Sequence, residues 1–406
     1  MPKKIMFLGA NIVQTPVIQL AKQLGYTAVS CDYLPDNPGH KFADRYINVS
    51  TVDKDAVLAA ARRENIDGII SFASDVSAPT AAYVAEKMNL SGHPLESVEI
   101  LTHKDRFRAF LREHGFPCPC SKGYSRIDEA VSDWRNGPLP LIVKPVDSSG
   151  SKGVTLVENA GELRAAAEAA LEYSRSKRFI VETFVAMQGA QIIGDGFSVH
   201  GKLVFSFYGD HIFNAASGGP FAVQGGMFPL DCGRRGADLK ERVDREVQKI
   251  LTLLKMQSGA YNIEARLGLD NQIYIMEIGP RNGGNMIPEL IHYATGVDLT
   301  YYTIMAALGD DCAELRQCSA KEFWAYYVIH SGSDGIFRNV CIDPGFRECN
   351  LTMCALQVAP GEKITRFANA AGAIGVAICH FATREEMREK MNRVEQLIRV
   401  EVEKDA

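Results

Sequence analysis

The stretch NIEARLGLDNQIYIMEIGPRNGGN, residues 262–285, constrains this chain more than any other. Two runs, 261–267 and 273–278, read as strands joined by a turn around Asp270-Asn271. If those two residues form a two-residue hairpin loop, Glu264 lies directly opposite Glu277 on one face. Like charges directly opposite each other destabilise a hairpin. A hard divalent cation between them turns the cost into a binding site, since Mg²⁺ takes carboxylate oxygens together with substrate phosphates. Pro280-Arg281 follows at once and sets a permanent cation beside the pair. The competing reading leaves both glutamates in solvent, neutralised by Arg266 or Arg281.

Composition narrows the partners. With 406 residues, 46% of them hydrophobic, the chain is long enough for two or three domains. A net charge of −5 offers no basic surface for nucleic acid, and none is expected as a partner. Ten cysteines are scattered without zinc spacing, Cys118-Pro-Cys120 being the closest pair, which suggests free thiols in a reducing compartment. No stretch approaches the length of an apolar membrane span, and the N-terminus lacks a cleavage site, so a cytoplasmic protein without membrane contact is expected.

Residues 1–95 alternate strand and helix: strands at 4–8, 28–32 and 68–72, helices from Thr15-Pro16 to Gly25, at 54–64 and at 79–88. Such alternation predicts a parallel sheet covered on both faces. Dinucleotide binding with Asp32 as the ribose acid is the tempting reading, but Gly9 is followed by Ala10-Asn11-Ile12-Val13-Gln14, without the glycines a pyrophosphate turn needs. From Thr102 the pattern becomes α+β, with helices at 104–114, 160–174, 238–254 and 288–308, strand-rich segments at 192–213 and 259–278, and long loops at 147–153 and 214–236. From about Glu322 it is mainly β, ending in a helix at 383–398 whose Met387, Met391, Val394 and Ile398 stripe suits core packing.

Three further segments carry chemistry. The strand ending Val143-Lys144-Pro145 leads into Asp147-Ser148-Ser149-Gly150-Ser151-Lys152-Gly153. A lysine at a strand end reaches phosphate oxygens, and a loop of small residues closes backbone N–H groups over them, although the Walker spacing is absent. Phe179-Ile-Val-Glu182-Thr183-Phe-Val185 sets an acid at the edge of an apolar strand, as a purine site requires. His211 follows Gly209-Asp210 after an apolar strand, where a satisfied structural histidine competes with a role in substrate or phosphate binding.

The order Lys104, Lys144 with its Ser/Gly loop, Glu182, Glu264, then Glu277-x-x-Pro-Arg281 resembles the ATP-grasp superfamily, in its biotin carboxylase and L-amino acid ligase branch. The resemblance implies a mixed α/β and α+β fold. Its parts are an N-terminal parallel α/β domain preceding the grasp (1–100), a central ATP-grasp domain (101–312) and a small β-rich C-terminal domain (313–406). It also implies that Lys104 and Lys144 hold the α- and β-phosphates of ATP, and that Ser148, Ser149, Gly150, Ser151, Lys152 and Gly153 cover them. Glu182 with the backbone of Thr183 and Val185 would read adenine, and Gln191 would stand where the ribose acid usually falls. Glu264 and Glu277 would bind one or two Mg²⁺ ions, with Mn²⁺ as a substitute, and Arg281 would be catalytic; His211 joins it as a catalytic candidate on its own position in the chain, not through the resemblance. Gly279 replaces the Asn of the commonest E-x-N-P-R form, leaving coordination to water, Asn282 or Asn285. The implied activity is an ATP-dependent carboxylate–amine ligase using an acyl phosphate, with small-molecule carboxylate and amine substrates, in a chain that could form a homodimer. The substrate would lie between residues 214–236 and 281–285. A bicarbonate-using carboxylase and a non-catalytic nucleotide-binding regulator are the alternatives.

Overall fold

The structure is a computed structural model and describes residues 2–213 and 221–403, apart from the side chain of Arg234. Four parallel strands form the N-terminal sheet in the order Arg45–Ile47, Thr27–Cys31, Lys4–Leu8, Gly68–Ile70. Alternation along the central strand feeds two cores. Ile5 and Phe7 pack with Val17, Ile18 and Ala21 of the helix Thr15–Gln23, while Met6 and Leu8 pack with Val57 and Ala61 of Lys54–Glu64. Asp32 serves a turn, accepting from Leu34 N at 3.1 Å and Asn37 Nδ2 at 2.8 Å.

A second, antiparallel sheet runs Ser121–Tyr124, Phe179–Thr183, Leu141–Pro145, Thr155–Val157, and is covered by the helices Ile127–Trp134 and Leu163–Tyr173. The third is an eight-stranded antiparallel sheet: Ile273–Gly279, Gly259–Leu267, Ile192–Val199, Lys202–Phe213, Val223–Phe228, Phe323–His330, Ala373–Phe381, Leu351–Leu356. It carries the hairpin at one edge and runs without a break into the C-terminal strands. A three-stranded sheet of Lys363–Ile364, Gly335–Ile342 and Ile398–Glu403 completes the chain. The stripe of Met387, Met391, Val394 and Ile398 is core, each residue at most 4% exposed.

Four expectations are corrected. The helix expected at 288–308 is two, Ile287–Thr295 and Leu299–Ala307, because Gly296 turns left-handed (φ +78°) and Asp298 caps the second by accepting from Tyr301 N. The final helix stops early, at Arg384–Asn392 with a short turn Val394–Leu397. The chain then ends in the strand Ile398–Glu403, where Ile398, Val400 and Val402 alternate with charged residues and pair with Gly335–Ile342. Within 214–236, Val223–Phe228 is a strand rather than loop. Its Gly225-Gly226 erases the side-chain period, yet a Cβ on Gly226 would meet Tyr326 Cε1 at 2.6 Å. Residues 214–220 lie outside the described residues. Finally, the hairpin loop has three residues. Gly268 N donates to Gln272 O and Asn271 N to Gly268 O, both at 2.9 Å, with Asn271 at φ +61°.

Candidate active site

That three-residue loop would slide Glu264 away from Glu277 if the ladder ran evenly. Leu267 pairs with Ile273, Arg266 with Tyr274 and Ala265 with Ile275, but Glu264 pairs with Glu277. Met276 is the extra residue, a β-bulge that restores the opposition of the two carboxylates. The bulge has a second use, since Arg108 Nη1 donates to the Met276 carbonyl at 2.9 Å.

Alternation then aims the pair. Ile263, Ala265 and Leu267 enter a core, whereas Asn262, Glu264 and Arg266 line a cavity of about 400 Å³. The four-stranded sheet contributes in the same way: Leu141 and Val143 are core, Ile142 and Lys144 face the cavity. The structure brings Lys104, Lys144, Ser148 to Lys152, Glu182, Thr183, Val185, Gln191, His211, Glu264, Glu277 and Arg281 to that one cavity. Gly153 is not part of its lining; it lies at φ +68°, where an added Cβ would meet Tyr173 Cδ2 at 2.9 Å and the Ala169 carbonyl at 3.2 Å. Of the two asparagines considered beside Gly279, Asn285 lines the cavity. Asn282 is fully buried in a neighbouring one, its Oδ1 within 2.9 Å of Thr303 Oγ1.

Charges are arranged in linked pairs. Glu182, 1% exposed, takes Lys144 on Oε1 at 2.5 Å and Arg108 Nε on Oε2 at 3.0 Å. Burial alone would raise its carboxyl, but Arg108 and Lys144 outweigh burial and hold it at about 2. Both oxygens of Glu182 are therefore engaged within the protein. Gln191 bridges two further groups, donating to Glu264 Oε2 at 2.7 Å and accepting from Arg266 Nε at 2.8 Å. Arg266 also reaches the Val185 carbonyl at 3.1 Å. Lys104 stands at the start of the helix Lys104–Glu113, 3.5 Å from Glu277 and 2.8 Å from the Ser148 carbonyl.

Burial and then the Glu277 charge push the Glu264 carboxyl well above the usual carboxylate range. A divalent cation would relieve that repulsion, so the donor set fits one. Among the described residues no group of three or more His, Cys, Asp or Glu is arranged to hold a metal, leaving water and phosphate oxygens to complete the coordination. His211 sits on the strand Lys202–Phe213, 6% exposed, with burial pulling its imidazole down to about 3. Its Nδ1 is a buried atom without a hydrogen-bond partner.

Sequence reasoning missed three residues. Arg108 left a signal: it falls beside Phe107 and Leu111 on the buried side of its helix, where an unpaired charge is costly. Arg266 reads in the sequence only as a neutraliser of the two glutamates. Asp75 left no local signal; it grips Arg281 from 206 residues away.

The family model for the ATP-grasp domain matches residues 137–289, the span that supplies most of these side chains. That segment carries an ATP-grasp domain. The chain's relatives in sequence include the formate-dependent phosphoribosylglycinamide formyltransferase of Parasynechococcus marenigrum, 30% identical over 193 residues, 45% of this chain and 48% of that one. An uncharacterized Sinorhizobium fredii protein, y4rH, is 27% identical over 350 residues, 81% of this chain and 68% of that one. In fold, the L-amino acid ligase of Bacillus licheniformis superposes with a TM-score of 0.81 at 20% identity, covering 99% of both chains. ATP-grasp enzymes use ATP with Mg²⁺, and the carboxylate pair suits that requirement. No helix among the described residues is long and apolar enough to cross a membrane.

Proposed function

We propose that this ATP-grasp chain is a carboxylate–amine ligase. The observation that carries the reading is the opposition of Glu264 and Glu277 in one cavity with Lys104, Lys144 and Arg281. A carboxylate oxygen attacks the γ-phosphorus of ATP, the bond to the bridging oxygen breaks, and ADP leaves. The amine nitrogen then attacks the acyl phosphate, phosphate departs with one former carboxylate oxygen, and a proton is released. Lys104 and Lys144 act as point charges on the nucleotide phosphates, and Ser148 to Lys152 close over them and exclude water. Arg281 stabilises charge on the transferred group. Magnesium held by Glu264 and Glu277 supplies charge neutralisation when bound; one ion or two, and replacement by Mn²⁺, belong to this proposal.

Glu182 positions Lys144 rather than reading adenine with its carboxylate, which leaves the base to the backbone around Thr183 and Val185. Gln191 meets ribose as a neutral partner while steadying Glu264. His211, neutral at pH 7, offers a hydrogen bond and is a poor proton carrier. The three-part division at 100 and 312 is part of the same reading, as are a reducing, cytoplasmic setting for ten free thiols and a homodimeric assembly.

The substrate side favours an apolar compound over a phosphate ester. The lining contributed by residues 11–13, 213–223, 284–287 and 326–376 holds no lysine or arginine among the described residues, and 214–220 contain none in sequence. Phe213, Val223, Met286, Ile287 and Val376 dominate it. An ADP-release screen over apolar amino acids, hydroxy acids and bicarbonate tests the proposal. Release that needs both a carboxylate and an amine supports it. Bicarbonate-driven release without an amine would make the chain a carboxylase, and ATP binding with no release across the panel would make it a regulator.

A further inference from the structure

Arg281 does not stand free in the cavity. Its Nε donates to Asp75 Oδ1 at 2.8 Å, its Nη2 donates to Asp75 Oδ2, and its Nη1 donates to the Asn282 carbonyl at 3.0 Å. Asp75 reaches it from the N-terminal sheet, in the loop between the strand Gly68–Ile70 and the helix Ala78–Met88. The loop is tied by hydrogen bonds within itself and to Gln14. Ser71 Oγ donates to the Ser74 carbonyl at 2.7 Å, Ser77 Oγ lies 2.9 Å from Ser74 Oγ, and Gln14 Nε2 donates to the Phe72 carbonyl at 3.0 Å. Ala73 sits at φ +51°, a left-handed conformation that a non-glycine residue keeps only where its surroundings over-determine it.

Gly279 explains how the carboxylate fits. A Cβ built there would lie 2.6 Å from Asp75 Oδ1 and 3.1 Å from both Nε and Cζ of Arg281. The glycine leaves that space open: a side chain at 279 would require Asp75 to shift from its present contact with the guanidinium. The gap in the motif and the acid of the distant loop are thus one device. Side-on, two-bond pairing fixes the plane of a guanidinium as well as its position. Both partners are largely shielded from water, with side chains 10% and 14% exposed, so the pair is poorly screened.

We infer that Asp75 is a positioning residue for the reaction, delivered by the N-terminal sheet into the space that Gly279 leaves, where it orients Arg281 toward the reacting carboxylate. The inference rests on the ligase reading for the step that is slowed, while the coupling between Asp75 and Gly279 does not depend on it. One consequence is that turnover requires the N-terminal sheet to be seated on the rest of the chain.

A double-mutant cycle on the full-length protein tests this, with kcat, the KM of the carboxylate substrate, Mg-ADP affinity by calorimetry and the melting temperature as readouts. D75N keeps the size and removes the charge. It should lower kcat by about 10- to 100-fold, the range over which orienting partners commonly act, with Mg-ADP affinity unchanged. G279A should reproduce that loss in the parent but add little in a D75A background, because the oxygen its Cβ would strike is gone. D75N with wild-type kcat and KM, or G279A costing the same in both backgrounds, would overturn the inference. If no substrate gives turnover, the ligase reading fails separately. The cycle is then read on melting, where G279A should destabilise the parent and not D75A, and equal shifts in both would overturn the coupling.

Discussion

Lys144 donates to Glu182 at 2.5 Å, and that contact binds a cation of the cavity to a carboxylate which Arg108 holds from the other side at 3.0 Å. Three charges, Arg108 and Glu182 buried and Lys144 partly so, thus depend on one another. Removing a single partner from such a set leaves an uncompensated charge and typically costs about 3–5 kcal/mol. E182A should destabilise the chain by that order in denaturant unfolding. Because the native carboxyl is held at about 2, below its ordinary value, it stabilises the fold at neutral pH, and that contribution is lost as pH falls from the usual Glu range toward 2. Acid unfolding of E182A should lack this component. An E182A protein as stable as the parent would contradict the triad.

The opposed glutamates predict the reverse slope. Glu264 is raised to about 7 by burial and by Glu277, so its stabilising protonated form is lost as pH rises through that value. Asp195, raised to about 6 chiefly by burial, and Glu289, raised to about 7 chiefly by burial, act in the same direction. Without divalent cation, the melting temperature should fall between about pH 5 and about pH 8, and E264Q should remove part of that fall. Mg-ATP should raise melting most at the upper end. A flat profile, or an E264Q profile matching the parent, would speak against a strained carboxylate pair. E277Q should fold and lose turnover.

Gly150 lies at φ +67°, its carbonyl accepts from Ala370 N at 3.1 Å, and a Cβ there would come within 2.7 Å of Ala370 Cβ. Next to it, Ser151 Oγ donates to the Phe221 carbonyl at 2.7 Å. The segment 148–153 should therefore gain hydrogen-exchange protection with Mg-ATP. G150A should lose part of that protection and lower kcat more than it weakens nucleotide binding. Exchange indifferent to nucleotide in the parent would remove the lid from the mechanism.

The acyl phosphate leaves a chemical signature. A substrate carrying heavy oxygen in its carboxylate should pass one label to inorganic phosphate per turnover, and hydroxylamine in place of the amine should give a hydroxamate. R281A should lose the trapped hydroxamate more severely than it loses ATP binding. Product formed with unlabelled phosphate would exclude the route.

What the residues determined by themselves was local. Alternation set Lys144 and Glu264 on cavity-facing sides of their strands, and the strand–helix rhythm of residues 1–95 announced a parallel sheet, because side-chain period is a property of neighbouring residues. The two-residue loop that the sequence suggests gives the opposition of Glu264 and Glu277 only half its reason. The loop is one residue longer than its Asp-Asn pair suggests, and the bulge at Met276 compensates. Nothing in the strand pattern marks that bulge, since its stabilising contact comes from Arg108 on a distant helix. The same holds for the final strand, whose alternation matters only once Gly335–Ile342 lies beside it. Tertiary structure alone decided that Asp75 meets Arg281, that Gly279 makes room for both, and that Glu182 is spent on two cations. Those partners are set by how separate sheets pack, over separations of up to 206 residues, and packing at that range leaves no periodic trace in either segment.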